Sequence, residues 1–125
     1  MNILRLSERV KLKLGEVTVL VSPLSFAKKS EIAKESVMSD GILVPDYAKQ
    51  SFLLVKHSVK DVTGLTDYAG NEYKLTFDGA EVLTDDCAIE LVDCFSGTKL
   101  AAAIGKVSTS NLNVEGVELD VVPKQ

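Results

Sequence analysis

A thiol, an imidazole and a carboxylate suffice for nucleophilic catalysis of the cysteine type. The chain carries Cys87, Cys94, a single histidine at His57, and the adjacent Asp85 and Asp86. A cysteine enzyme needs the imidazole beside one thiol and a carboxylate orienting the ring. The plainer reading makes both cysteines core residues of one helical stretch and His57 a junction residue, so no such enzyme is expected. On a helix rising about 1.5 Å per residue, the two cysteine Cα atoms stand about 10 Å apart, beyond disulfide reach. Their interval fits no zinc pattern, and one histidine cannot complete such a site. Both cysteines are therefore expected to be buried apolar thiols. Asp85 and Asp86 are read as first-turn helix charges. Asp67 and Asn71 share a loop that lacks the ligand density and final glutamate of an EF-hand. Gly64, Gly70 and Gly79 make no phosphate-cradling pattern. No catalytic, cofactor-binding or metal-binding residue is assigned, and the expectation is a non-enzymatic protein without a cofactor.

Composition points the same way. The 125 residues are 46% hydrophobic and 26% charged, which is ordinary for one globular domain. A net charge of −4 disfavours nucleic acid as a partner, since phosphate binding wants a concentrated basic surface. Lys28/Lys29 and Lys56/Lys60 are small clusters, read as solvated faces. No apolar run approaches the roughly 20 residues of a membrane span, and the start has no apolar core of secretory type. A cytoplasmic location without membrane contact is expected.

The elements that must position these residues follow from periodicity. Val10–Leu14 and Val17–Val21 alternate on either side of Gly15-Glu16, predicting a hairpin over 10–21 with a glycine-first primed turn. Phe26, Ala33 and Val37 recur at helical spacing, predicting a helix near 25–38 that Ser39-Asp40-Gly41 ends. Pro45 suits the first turn of a second helix near 45–56. A second hairpin is expected at about 58–77, because Tyr73, Leu75 and Phe77 alternate with Lys74 and Thr76 beyond the turn-rich Asp67–Asn71. Thr84 then caps a helix near 84–95 with Ala88, Leu91, Val92 and Phe95 on its buried stripe. An Ala-rich helix follows near 98–106.

Together these predict an α+β fold: two β-hairpins packed with about four short helices in a single domain over residues 1–107. Residues 108–125 form a C-terminal tail, either flexible or an added edge strand, with weak alternation at Val114, Val117, Leu119 and Val121. The expected core is Leu12, Leu14, Val19, Phe26, Ala33, Phe52, Val59, Tyr73, Leu75, Phe77, Leu91 and Phe95. With no reactive constellation, function is expected in surfaces. The apolar Ile3/Leu4, the Ile42-Leu43-Val44 link and the tail are the places to look for partners, self-association included.

The order of pieces across residues 10–104 resembles the tail assembly chaperones of long-tailed bacteriophages. The likeness lies in the opening hairpin closed by Val21-Ser22-Pro23-Leu24-Ser25 and in the segment Ser58–Leu65. It continues in the turn with Gly70 leading to Tyr73–Phe77, and in Leu83-Thr84-Asp85-Asp86 opening a helix. The resemblance implies a non-enzymatic role in the host cytoplasm, binding tape measure and tail tube proteins during assembly and absent from the mature virion. It also implies homo-oligomers. Alternatives are a virion structural protein of the head–tail joining or tail-completion type, and a host regulatory or adaptor domain.

Members of that family are often made in two lengths by a backward ribosomal slip, which needs a heptanucleotide of the form X XXY YYZ. Gly105-Lys106 cannot supply G GGA AAA, because Ile104 precedes it and no isoleucine codon ends in G. Val122-Pro123-Lys124 can be written GTC CCA AAA, which contains C CCA AAA in phase. That heptamer is expected in the coding DNA, with the minus-one frame open past Gln125. Its absence, or an immediate stop in that frame, removes the two-product expectation.

Overall fold

The computed structural model describes residues 4–79, 81–95, 98–108 and 118–122. Strands β1 (Arg9–Leu14) and β2 (Val17–Val21) form the expected first hairpin, paired from Leu14↔Val17 to Val10↔Val21. Gly15 at φ 65 opens the two-residue turn, as the primed type with glycine first requires. Strand β5 (Val59–Thr63) lies antiparallel along β2, and β8 (Glu118–Val122) antiparallel along β1. The resulting sheet has the order β5-β2-β1-β8. Val10, Leu12, Val19, Val21, Val59 and Val62 fall on one face and are buried. Leu119 and Val121 are the register partners of Leu12 and Val10. The register slips between Leu20 and Val21, so Lys60 occupies a bulge and Val59 and Val62 both keep to the inner side.

The second expected hairpin is corrected. The segment after β5 does not fold back onto it as a ladder; β5 takes β2 as its partner instead. An isolated bridge, Thr66↔Glu72, closes the connecting loop, with the Tyr73 N–H donating to the Leu65 carbonyl at 2.8 Å and the Asp67 N–H to the Asn71 carbonyl at 2.9 Å. The Asp67 carboxylate accepts from the N–H groups of Ala69 and Asn71, both at 2.9 Å, so the loop satisfies itself locally. Alternation still describes the faces, since Tyr73 and Leu75 are half-buried and Lys74 and Thr76 exposed. Phe77, expected in the core, is exposed. It begins a two-residue strand β6 (Phe77–Asp78) paired with β7 (Val82–Leu83). Gly64 ends β5 where no side chain fits: at φ +84, a Cβ there would meet the Glu16 carbonyl oxygen at 2.4 Å.

Helix α1 (Phe26–Ala33) is shorter than expected. Ser25 caps it, its side chain accepting from the Lys28 N–H at 3.2 Å. Its one buried residue is Ile32, while Phe26 is 82% exposed and Ala33 also faces solvent, against the expected core. The expected last turn becomes strand β3 (Ser36–Ser39), paired with β4 (Ile42–Pro45) from Ser39↔Ile42 to Ser36↔Pro45. Asp40 (φ 51) and Gly41 (φ 79) both take left-handed backbone. That is the type I′ turn for which Asp-Gly is the strongest short signal. Pro45 therefore closes a strand, and Asp46 caps helix α2 (Tyr47–Ser58).

Helices α3 (Asp85–Cys94) and α4 (Thr98–Ser108) complete the layer over the sheet, both packing on α2. Thr84 accepts from the Cys87 N–H, as its position predicts. Cys87, Ala88 and Leu91 from α3 join Leu100, Ala103, Ile104 and Val107 from α4 in the core. The fold is thus α+β, with four helices among the described residues. Phe52, Phe95 and Leu14 are half-buried at the margin of the core, where fuller burial was expected. Ile3, Val114 and Val117, singled out in the sequence, lie outside the described residues.

Two substitutions separate core from surface. Ile104→Ala, at a fully buried site, is expected to cost about 2–5 kcal/mol, and Phe26→Ala less than about 0.5 kcal/mol, by urea denaturation. The reverse ranking would mean that α4 does not face the core.

Candidate interaction surface

The groups weighed for chemistry are not assembled into a site. The Cys87 thiol is buried and accepts a hydrogen bond from the Tyr73 hydroxyl at 3.4 Å. Burial and that thiol push the Tyr73 hydroxyl above its ordinary pKa. Cys94 is exposed rather than buried, a correction. It stands in the last turn of α3 beside a 360 Å³ cavity whose other wall is the 65–74 loop, so little packs over it. The charged groups facing His57 are Lys28, Lys56, Glu31 and Lys60, and none is a cysteine. Asp85 is engaged by Lys56, whose ammonium also lies 5.7 Å from the centre of the Phe52 ring. Among the described residues, no group of histidine, cysteine, aspartate and glutamate could hold a metal ion.

Two further cavities are lined by charge. One of 410 Å³ lies among Arg9, Lys60, Phe77, Gly79 and Glu81. Its cations already serve the backbone: Lys60 Nζ donates to the Glu81 carbonyl at 2.7 Å and Arg9 Nη1 to the Glu8 carbonyl at 3.1 Å. The other, of 300 Å³, is a shallow groove on the outer sheet face, with Lys11, Lys13, Asp61 and Thr63 along it. Neither is lined by a cysteine or a histidine.

What stands out is apolar. The β3–β4 ribbon leaves Val37 47%, Met38 62%, Ile42 65% and Leu43 66% exposed, with Tyr47 at its foot 71% exposed. Val37, Val44 and Ile42 share one face of the ribbon, and Met38, Leu43 and Pro45 the other, as the register requires. Its root is tied down. The Asp46 N–H donates to the Glu35 carbonyl at 2.9 Å, Gln50 Nε2 donates to the same oxygen at 3.0 Å, and Lys49 pairs with the Glu35 carboxylate at 3.0 Å. Among the described residues, no third strand pairs with either edge. A two-stranded ribbon is marginal in water, and apolar side chains on both faces add to the cost of leaving it uncovered.

Sequence reasoning marked Ile42-Leu43-Val44 as a place for partners, and Ile42 and Leu43 are indeed exposed. It missed Val37 and Met38, which it placed on a helix; the Asp40-Gly41 pair between two apolar runs was the available signal. Leu4, also marked, packs against the core, and Ile3 lies outside the described residues. Among the described residues, no helix is long and apolar enough to cross a membrane. Comparison with known protein families, curated proteins and solved structures gives no match to this chain.

The surroundings of His57 yield a pH dependence. Partial burial, with Lys28, Lys56 and Lys60 nearby, holds its pKa below the ordinary 6.5 despite Glu31. A base depressed in the folded state binds its proton first in the unfolded chain. Stability is therefore fully present above pH 6.5 and declines as pH falls through that value towards the folded pKa. His57→Gln should abolish this part of the decline in a series of urea titrations. An unchanged profile would assign it to other groups.

Proposed function

We propose that this chain is a non-enzymatic protein-binding domain serving as a phage tail assembly chaperone in the host cytoplasm. In this reading it holds tape measure and tail tube proteins during tail assembly and leaves before the virion is complete. The observation that carries the proposal is the rooted β3–β4 ribbon with Val37, Met38, Ile42 and Leu43 in solvent. A chaperone for a long apolar helix needs apolar surface that a soluble acidic body can display without precipitating. The net charge of −4 on this chain suits that need. The sequence resemblance supplies the identity of the clients; the ribbon supplies a surface of the right chemistry.

Co-expression with the tape measure and tail tube proteins encoded beside it tests the reading. Capture of the wild-type chain should retain the tape measure protein in the soluble fraction. A chain with Ile42→Asp and Leu43→Asp should lose it, whereas Ile89→Asp, on the exposed face of α3, should not. Mass spectrometry of purified particles should find no copy of the chain. Retention in the particle would favour a head–tail joining or tail-completion protein, and the absence of phage genes on either side would favour a host adaptor.

A further inference from the structure

We propose that the cleft between the β6–β7 turn and the near end of the main sheet binds a phosphate monoester carried on a flat ring, as in a nucleoside monophosphate. Arg9 and Lys60 take the phosphate and Phe77 takes the ring. The inference goes beyond the protein-binding reading and shares no residue with the β3–β4 ribbon.

Topology brings the two cations together. Val10 pairs with Val21, and Val21 with Val59, so β1 and β5 begin at the same end of the sheet. Arg9 starts β1, and Lys60 sits in the bulge beside Val59. Both line the 410 Å³ cavity whose other walls are Phe77, Gly79 and Glu81. That volume lies within the roughly 300–1,000 Å³ of small-molecule sites.

Charge gives the sign of the ligand. Both cations are half-buried, yet among the described residues neither has a carboxylate at ion-pair distance. The chain carries 18 acidic residues against 14 basic ones, so counter-ions were not scarce. A charge drawn out of water is costly until an opposite one stands beside it. Backbone carbonyls hold these two in position instead. Lys60 Nζ donates to Glu81 at 2.7 Å and to His57 at 3.5 Å. Among the described residues Arg9 commits only Nη1, to the carbonyls of Glu8 and Ser7, which leaves Nε and Nη2 to a ligand. Glu81 has left-handed backbone at φ 61, uncommon for a residue with a Cβ, and such strain collects at ligand sites. Burial lowers the Lys60 pKa from its ordinary 10.5, Glu81 raises it and Arg9 lowers it again. The two cations therefore feel each other, and an anion between them relieves both.

A pair of cations calls for a doubly charged partner. A phosphate monoester carries about −1.5 to −2 at pH 7, a carboxylate about half that. The guanidinium fork also matches phosphate oxygens in pairs. Glu81 brings a carboxylate to the wall. It repels a second anionic group and accepts from an N–H or O–H elsewhere on the ligand. Phe77, 42% exposed, supplies an aromatic surface. Flat rings stack on such a surface whatever hydrogen-bonding edges they carry.

Titration of the full chain with phenyl phosphate, followed by amide chemical shifts, tests the site. Saturation with a Kd of about 1 mM or lower is expected, with the largest shifts at Arg9, Lys60, Phe77 and Gly79. Inorganic phosphate, lacking the ring, and benzoate, lacking the second charge, should each bind about tenfold more weakly. Arg9→Gln and Lys60→Gln should each weaken phenyl phosphate about tenfold or more, whereas Lys11→Gln, on the outer sheet face, should change nothing. Thermal unfolding checks that each variant is folded, and the wild-type shift map decides even where one is not. Adenosine 5′-monophosphate and phosphotyrosine both carry the proposed chemistry, and the tighter of the two identifies its source. Failure of phenyl phosphate to saturate, shifts confined to other residues, or benzoate binding as tightly as phenyl phosphate overturns the proposal. None of these results bears on capture of the tape measure protein, so the protein-binding reading stands or falls separately.

Discussion

The junction at Ser58–Val59 carries much of the architecture. Helix α2 ends and β5 begins with no loop between them. Ser58 is fully buried, its Oγ donating to the Ser22 carbonyl at 2.6 Å, and the Ser22 N–H donates to the Ser58 carbonyl at 2.9 Å. A helix end leaves carbonyls without partners, and a buried one must find them elsewhere. Here the end of β2 supplies the partner, so one pair of serines both closes the helix and starts the strand. Losing the hydroxyl would leave a buried carbonyl short of a donor, a penalty of about 1–3 kcal/mol.

That junction sets the layers. Helix α2 runs straight into the sheet, and its Val55 shares one buried core with Val59 and Val62. Helices α3 and α4 both pack on α2. Lys56 ties the start of α3 to it, a solvent-facing pair that orients more than it stabilises. Helix α4 adds Leu100, Ile104 and Val107, all fully buried, and its buried Ala103 is small enough to let the helix sit close. The outer face of the sheet stays wet, with Lys11 and Lys13 alternating against Leu12.

The ribbon at 36–45 is the exception to this economy. Other exposed apolar side chains among the described residues, such as Phe26 and Ile89, stand singly, but here both faces keep theirs in solvent. Its root is held by Glu35, Asp46, Lys49 and Gln50, so the ribbon projects in a defined direction rather than lying against the body. In the protein-binding role proposed for it, that fixed direction would remove beforehand part of the entropy lost on association.

Much of the local structure was legible in the residues. The hairpin at 10–21, the caps at Ser25 and Thr84, the buried stripe of α3 and the wet side of Lys74 and Thr76 all follow from nearest-neighbour chemistry. Three things were not. Alternation tells a strand which face is apolar but not which strand it joins, so β5 went to β2 rather than to Tyr73–Phe77; the apolar partners Val19 and Val21 decided that. Helical spacing of Phe26, Ala33 and Val37 was outweighed by the Asp40-Gly41 turn, whose ladder draws on both sides of it. Exposure of Phe26 and Cys94 depends on what packs opposite them, and only the assembled layers determine that.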